Sequence, residues 1–398
     1  MSVSISDVVR ALKPSETLAM AGKARELKES GKKVYDLSLG EPDFDTPAHI
    51  REAAVQAMKD GHTRYTAATG IAPLKQAVVD QYRKVHGLEY QPAQVVVSNG
   101  AKHALHNVFR ALLNPGDEVI IPAPYWVSYN ALVELNEAVP VVVNTTEATD
   151  FKLQPEQLRA AVTDKTKVLL LCSPSNPTGS MYSPEELGAL ADVVIEKNLL
   201  VVADEIYERL VYPGHRFTSF ATLRPGLAER TMLINGVSKA YAMTGWRIGW
   251  SMTPLDVAKA IANLQSQETS CPSSVSQYAA LAAVGGPQEC VDEMLVEFTK
   301  RRNFVMQRIA SIAGLSCAEM GGAFYAFINI AKHLGRTYGG VRVDDSTQWC
   351  LELLSQKQVA MVMGAAFGAE GYARASFATS MENLEAAFDR IEAFVTEK

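Results

Sequence analysis

Six short apolar runs punctuate the middle of the chain: Val95–Val97, Val119–Ile121, Val139–Val143, Val168–Leu171, Leu199–Ala203 and Met232–Ile234. Helical stretches separate each run from the next. A strand that is apolar throughout has no face to give to water, so the sheet it joins is covered on both sides. Strands that alternate with helices are joined by crossovers, which leaves a largely parallel sheet and an α/β fold. One helix start is explicit: Ser183-Pro184-Glu185-Glu186 combines a Ser cap, Pro at the first position and Glu at the third. In such sheets ligand groups gather at the carboxyl ends of the strands, so the residues just past each run are the first to inspect.

The flanks read differently. A helix from Ser15 to about Glu29 and a short strand Val34–Ser38 precede the Gly/Pro/Asp-rich loop Leu39–Pro47. Residues 254–312 are mostly helical, and strands at Ala323–Ile328, Val359–Val362 and Ala373–Phe377 mix with helices after that. The 398 residues suffice for two domains. The expected division is a large domain over 46–285 and a smaller α+β domain built from 1–45 and 286–398. Gly335–Gly340 reads as a flexible insertion. A net charge of −6 argues against a nucleic-acid surface. No segment has the length and apolarity of a membrane span, and Met1–Asp7 lacks the basic and apolar regions of a signal peptide. Five scattered cysteines without a Cys-x-x-Cys pair read as reduced thiols, and the expected location is the cytoplasm. His103 and His106 have no third ligand nearby, so no metal is expected.

Past the last run stands Val237-Ser238-Lys239-Ala240-Tyr241-Ala242-Met243-Thr244-Gly245-Trp246-Arg247-Ile248-Gly249-Trp250. A lysine among small, aromatic and apolar neighbours is partly desolvated, which lowers its pKa and frees the amine as a nucleophile. Arg247, flanked by Gly245 and Gly249, suits a phosphate. Taken singly, a lysine and an arginine are more often surface groups. Ser98-Asn99-Gly100-Ala101-Lys102 opens a helix with exposed backbone N–H groups, a phosphate seat that many strand–helix turns share. Asp204 and Tyr207 follow the fifth run, where an acid can simply cap a helix. Asn176 lies in Ser173–Gly179, where Asn-Pro is also good turn chemistry, and Trp126 in Ala123–Tyr129 can be an ordinary core aromatic. Arg374 sits in an apolar strand, where an unpaired charge is costly; a buried ion pair would also explain it. The glycine fingerprint of a nicotinamide-dependent enzyme is absent.

Together, in order and over nearly the whole length, Gly40, Tyr65, Gly100–Lys102, Trp126, Asn176, Asp204, Tyr207, Lys239, Arg247 and Arg374 resemble the class I, fold type I aminotransferases. The similarity is greatest to the aspartate/prephenate aminotransferase branch. The resemblance implies a large domain with a mostly parallel seven-stranded sheet, and pyridoxal 5'-phosphate as cofactor. Lys239, Asp204 and Tyr207 would be the catalytic residues. Lys239 would hold the cofactor covalently, Asp204 would face its pyridine nitrogen, and Tyr207 and Asn176 its ring hydroxyl. Trp126 would stack on the ring, and Gly100, Ala101, Lys102, Ser238 and Arg247 would surround the phosphate. Tyr65 would reach the cofactor of a partner subunit, making the unit a homodimer with shared sites. Substrate would meet Gly40, Trp126, Asn176 and Arg374 at its α-carboxylate end, and Lys102, Ser15, Thr17 and Tyr129 at its distal end. The implied reaction is ping-pong transfer, through pyridoxamine phosphate, between aspartate or glutamate and 2-oxo acids, with conversion of prephenate to arogenate as a further possibility. A transferase of aromatic or neutral amino acids, or a β-lyase on the same scaffold, stands as the alternative.

Overall fold

The computed structural model describes residues 3–12 and 16–397. Its centre is a seven-stranded sheet. In spatial order the strands are Val95–Ser98, Gly249–Met252, Thr231–Gly236, Leu200–Asp204, Thr166–Cys172, Glu118–Ala123 and Val139–Asn144. The six apolar runs are six of these strands. Gly249–Met252 is the seventh and runs antiparallel to both its neighbours, whereas the remaining pairings are parallel. In the edge strand Val139–Asn144 only Val141 and Val143 reach a core, and Val139 and Val142 are exposed. Alternate side chains of the other five apolar strands feed two apolar cores, one on each face. Val95, Val97, Leu169, Val201 and Leu233 enter one; Val96, Val168, Leu170, Val202 and Ile234 enter the other. Two buried faces are the reason these strands read as unbroken apolar runs.

A third core joins Met20, Ala24, Tyr35 and Leu37 to residues between Met294 and Val395. Ile206, Tyr207, Leu210 and Tyr212 belong to it as well, so the segment just past the Leu200–Asp204 strand is packed from the C-terminal side of the chain. Helices Leu255–Glu268, Ser274–Gly285 and Glu289–Ser311 occupy the region read as helical. Helix Glu16–Glu29 matches the first expected helix, with Ser15 outside the described residues. Helix Pro184–Glu196 has the anticipated capping box: Ser183 Oγ accepts from the Glu186 N–H (3.2 Å), and Glu186 accepts from the Ser183 N–H (2.7 Å).

Two expectations need correction. Val359–Val362 is not one strand. Val359–Ala360 pairs in parallel with Tyr35–Asp36, and Val362–Met363 pairs with Tyr372–Ser376 in another sheet, the chain changing partner at Met361. The Gly335–Gly340 stretch is not a flexible insertion either. Arg336–Tyr338 and Val341–Val343 form an antiparallel hairpin, turned by Gly339 and Gly340 at φ 55° and 85°. A two-residue turn with positive φ at both positions matches the strand twist, and glycine adopts it without strain. Tyr338 pins the hairpin by stacking on Phe394 at 4.3 Å. Among the described residues no helix is long and apolar enough to cross a membrane, and no cluster of potential metal ligands occurs. His103 and His106 both turn to Glu268, at 3.5 and 3.7 Å.

Candidate active site

Five strand ends meet at one cavity of about 470 Å³. Ala101 and Lys102 follow the first apolar strand, Trp126 the second, Asn176 the fourth, Asp204 the fifth and Lys239 the sixth, and all line it. Gly40, Thr17, Tyr129, Tyr207, Ser238, Arg247 and Arg374 line it too. Crossovers put every parallel strand's carboxyl end on the same edge, and that is what brings residues so distant in sequence together.

Lys239 Nζ donates to the Gly40 carbonyl at 2.5 Å, with the Tyr207 and Phe324 rings each 5.9 Å away. Burial lowers its pKa to about 8, against the attraction of Glu41 and Asp204; Arg374 and Arg247 push the same way as burial. Asp204 is buried. Tyr129 donates to its Oδ2 at 2.8 Å and the Ile206 N–H to its Oδ1 at 3.3 Å. Desolvation raises its pKa to about 6, although Tyr129, Ile206 and Lys239 favour the carboxylate. Tyr207 shares a 2.9 Å hydrogen bond with the hydroxyl of Tyr325, and burial raises the pKa of both phenols.

Arg374 is the most exceptional group. It is 2% exposed, yet among the described residues it has no ion-pair partner. Nη1 donates to Asn176 Oδ1 (3.0 Å) and Nη2 to the Ser38 carbonyl (2.7 Å), while Nε has no acceptor. Tyr325 and Phe367 lie under the guanidinium at 4.5 and 5.0 Å. A buried cation held only by neutral oxygens and aromatic faces is incompletely compensated, and an anion entering the cavity completes it.

At the other end, Gly100 precedes the helix Ala101–Leu112 with φ 86°, and no side chain caps that N-terminus. A Cβ on Gly100 would collide with the Arg247 guanidinium, and one on Gly249 with the Ala101 backbone nitrogen. The two glycines therefore set helix start and arginine against each other. Arg247 donates to the Thr244 carbonyl at 2.9 Å. Lys102 Nζ lies 4.9 Å over the Trp126 ring, its pKa lowered by desolvation and by Arg247. Pyridoxal phosphate fits this donor set. A helix N-terminus with Arg247 answers its phosphate, a buried acid answers a pyridine nitrogen, and an amine freed near neutral pH answers its aldehyde.

Three expected residues differ from the rest in how they relate to this cavity. Tyr129, assigned to the distal end of the substrate, spends its hydroxyl on Asp204 instead, because its helix Ser128–Glu134 directs it at the buried acid. Tyr65 is 89% exposed and does not enter its own chain's cavity. Ser15 lies outside the described residues. Tyr325 was missed: in sequence it is one residue of an apolar strand, and only the pairing of Tyr325–Asn329 with Tyr372–Ser376 carries it between Tyr207 and Arg374. Glu41 and Thr244, joined at 2.8 Å, were missed as well.

The family model for aminotransferase class I and II matches residues 32–391. The aspartate aminotransferase of Geobacillus stearothermophilus is 47% identical over 97% of this chain and 98% of its own. The aspartate/prephenate aminotransferase of Nitrosomonas europaea is 44% identical over 99% and 100%. Among solved structures, the Rhizobium meliloti aspartate aminotransferase superposes with a TM-score of 0.96 at 42% identity, covering 99% of both chains. The Thermus thermophilus aspartate aminotransferase with maleate gives 0.92 at 39% identity, covering 99% of this chain and 100% of that one.

Proposed function

This chain belongs to the class I and II aminotransferase family, and we propose that it transfers the amino group of aspartate or glutamate to 2-oxo acids in two half-reactions. It is an aminotransferase whose cofactor is pyridoxal 5'-phosphate. The observation that carries the substrate reading is Arg374, a buried guanidinium with no acid partner among the described residues, facing the same cavity as Lys239. It binds the α-carboxylate, helped by Asn176 and the backbone at Gly40. That orients the α-carbon toward the Lys239 amine. When bound, the cofactor supplies the electron sink for that carbon.

Lys239 holds the cofactor in the resting enzyme and, once released, moves the proton at its Nζ. With a pKa lowered to about 8, a useful fraction of the amine is unprotonated near neutral pH. Asp204 would supply the negative charge that the ring nitrogen needs, Tyr207 and Asn176 would hydrogen-bond the cofactor, and Trp126 would help hold its ring. Ser238, Arg247 and the backbone of Gly100, Ala101 and Lys102 would hold the phosphate. Lys102 and Thr17 stand where the second carboxylate of the substrate ends. Maleate, bound by the Thermus thermophilus relative, is itself a small dicarboxylate. Tyr65 extends from each subunit of a homodimer to the phosphate of the other, which accounts for so exposed a tyrosine. Leu18, Ala21 and Leu39 add apolar surface beside Thr17. They favour a second acceptor, prephenate, which carries its second carboxylate and its 2-oxo acid arm on one ring carbon, so that the apolar ring would lie against these side chains.

The test is a pair of half-reactions. Enzyme is converted with aspartate, excess donor is removed, and 2-oxoglutarate or prephenate is added separately while the cofactor absorbance is followed. Recovery with 2-oxoglutarate supports the principal reading. Recovery with prephenate as well adds the second. An enzyme that aspartate does not convert removes the assignment of Lys102, and normal turnover by Lys239→Ala removes that of Lys239.

A further inference from the structure

The segment Ser38-Leu39-Gly40-Glu41 crosses the cavity and touches both reactive ends of it. At one end the Ser38 carbonyl accepts from Arg374 at 2.7 Å; further along, the Gly40 carbonyl accepts from Lys239 at 2.5 Å. Behind Ser38 the chain is fixed: the Leu37 N–H donates to Ala360 at 2.9 Å and its carbonyl accepts from Ser376 at 2.7 Å. Ahead of Gly40, Glu41 Oε2 accepts from Thr244 Oγ1 at 2.8 Å. Thr244 belongs to the loop carrying Lys239, and its own carbonyl accepts from Arg247 at 2.9 Å. Hydrogen bonds from Arg247 to Thr244 and from Thr244 to Glu41, then the covalent chain back through Gly40 to Ser38, thus connect Arg247 to Arg374.

We propose that the Thr244–Glu41 contact is a clasp that holds the Ser38–Glu41 segment across the cavity, making Thr244 and Glu41 positioning residues for the Lys239 amine and for Arg374. The inference rests on the roles given above to those two groups. Two carbonyls that serve two reacting ends must be fixed relative to each other, and sub-ångström misplacement in such a constellation is costly. An exposed glutamate beside a lysine would ordinarily be mobile. Here the Thr244 hydroxyl restricts it, and Pro42 follows at once.

The charged groups around the amine agree with this placement. Glu41, Asp204, Arg374 and Arg247 face Lys239, with Tyr207 packed beside it; of the two acids, Glu41 exerts the larger attraction. That attraction favours the ammonium form, so removing the carboxylate moves the midpoint of the amine downward.

Two substitutions separate geometry from charge in the holoenzyme. Glu41→Gln keeps an oxygen for Thr244 but loses the charge. Thr244→Val keeps the charge but releases the carboxylate. The readouts are the pH midpoint of the bound cofactor's absorbance, and KM and kcat for aspartate. For Glu41→Gln the midpoint falls by about half a unit, with KM nearly unchanged and the difference narrowing at higher ionic strength, because Glu41 is exposed. For Thr244→Val the midpoint falls and KM rises on the order of fivefold, the size of one lost hydrogen bond. Thr244→Ser restores both. The double variant is no worse than Thr244→Val alone, since the two groups act through one contact. Thr244→Val indistinguishable from wild type in midpoint and KM, on an enzyme that transaminates normally, overturns the clasp and leaves the transferase reading intact. Wild-type enzyme inert toward aspartate overturns both.

Discussion

Two arginines in this molecule are nearly equal in burial and opposite in use. Arg301 is 7% exposed and Arg374 2%. Each is flanked by two aromatic rings: Phe44 and Phe298 for Arg301 at 5.1 and 5.6 Å, Tyr325 and Phe367 for Arg374 at 4.5 and 5.0 Å. Arg301, on helix Glu289–Ser311, has its acid in Asp43 at 2.6 Å. Among the described residues Arg374 has none, and its Nε is unsatisfied. The first charge is balanced within the chain and fastens the loop before Pro47 to the helix. In the proposed function the second is balanced by the substrate carboxylate. Burial alone does not distinguish a scaffold charge from a working one; the presence or absence of its counter-charge does.

The largest expected effect comes from the buried acid at the foot of the cavity. Asp204→Asn removes the charge but keeps an oxygen for Tyr129. Turnover falls on the order of a thousandfold or more, because the charge that supports the electron sink is gone. The cofactor-free protein gains stability. Its pKa is raised from 3.8 to about 6, so holding the carboxylate ionised above pH 6 costs roughly 2–3 kcal/mol. That shift already includes the attraction of Lys239, so the expected gain is the same roughly 2–3 kcal/mol. The sign follows from the raised pKa: no penalty exists below the unfolded value, and it is complete above the folded one. Denaturation at pH 8 and at pH 4 checks it, with the gain expected only at pH 8.

The arginine pair comes next. Arg374→Gln lowers kcat/KM for aspartate by about a hundredfold to a thousandfold, the loss of a charge-assisted double contact. Its melting temperature holds or rises, since an uncompensated buried cation is removed. Arg301→Gln does the reverse: it strands Asp43 and one face of two rings, destabilising by about 2–3 kcal/mol, with kcat/KM within a few-fold of wild type. Steady-state kinetics and urea denaturation on both variants test the contrast. Equal losses of stability would dissolve it.

Much of this contrast was legible beforehand, and the physical reasons divide cleanly. Five of the six apolar strands were readable because both of their faces are buried; the edge strand Val139–Asn144 was readable from its valines although Val139 and Val142 are exposed. The seventh, Gly249–Met252, interrupts its apolar residues with Gly249 and Ser251 and directly continues the lysine loop, so it gives no apolar run of its own. Arg374 was readable as an anomaly, a charge in an apolar strand, but its missing partner was not. The contacts that identify it span 198 residues to Asn176 and 336 to Ser38. Tyr325 and Tyr129 carry no local signal at all. Their hydroxyls acquire meaning only when the fold sets them against Tyr207 and Asp204. The Gly335–Gly340 stretch misled because glycines that make a chain flexible are also those that make the tightest hairpin turn.

The same contrast recurs among lysines, with a smaller effect. Lys152 reaches Glu186 at 3.0 Å and Asp150 at 3.7 Å. Lys102 lies over Trp126 with no carboxylate, among the described residues, within ion-pair distance, and the nearby Arg247 makes its charge less favourable still. A first-turn lysine is also opposed by the helix dipole, so stability gives no reason for a cation at position 102. A dicarboxylic substrate does. Lys102→Met is expected to lower kcat/KM for aspartate by roughly tenfold, about the worth of one charge-assisted contact at a partly open site, while alanine or phenylalanine is used as well as before or better. Lys152→Met leaves both substrates alone and changes stability by no more than about 1 kcal/mol, as expected of a partly exposed pair. The ratio of the two substrates' kcat/KM is the quantity to measure, because a general loosening of the site cancels from it. A Lys102→Met enzyme that keeps the wild-type ratio would put the second carboxylate somewhere else in the cavity, with Thr17 the next residue to change.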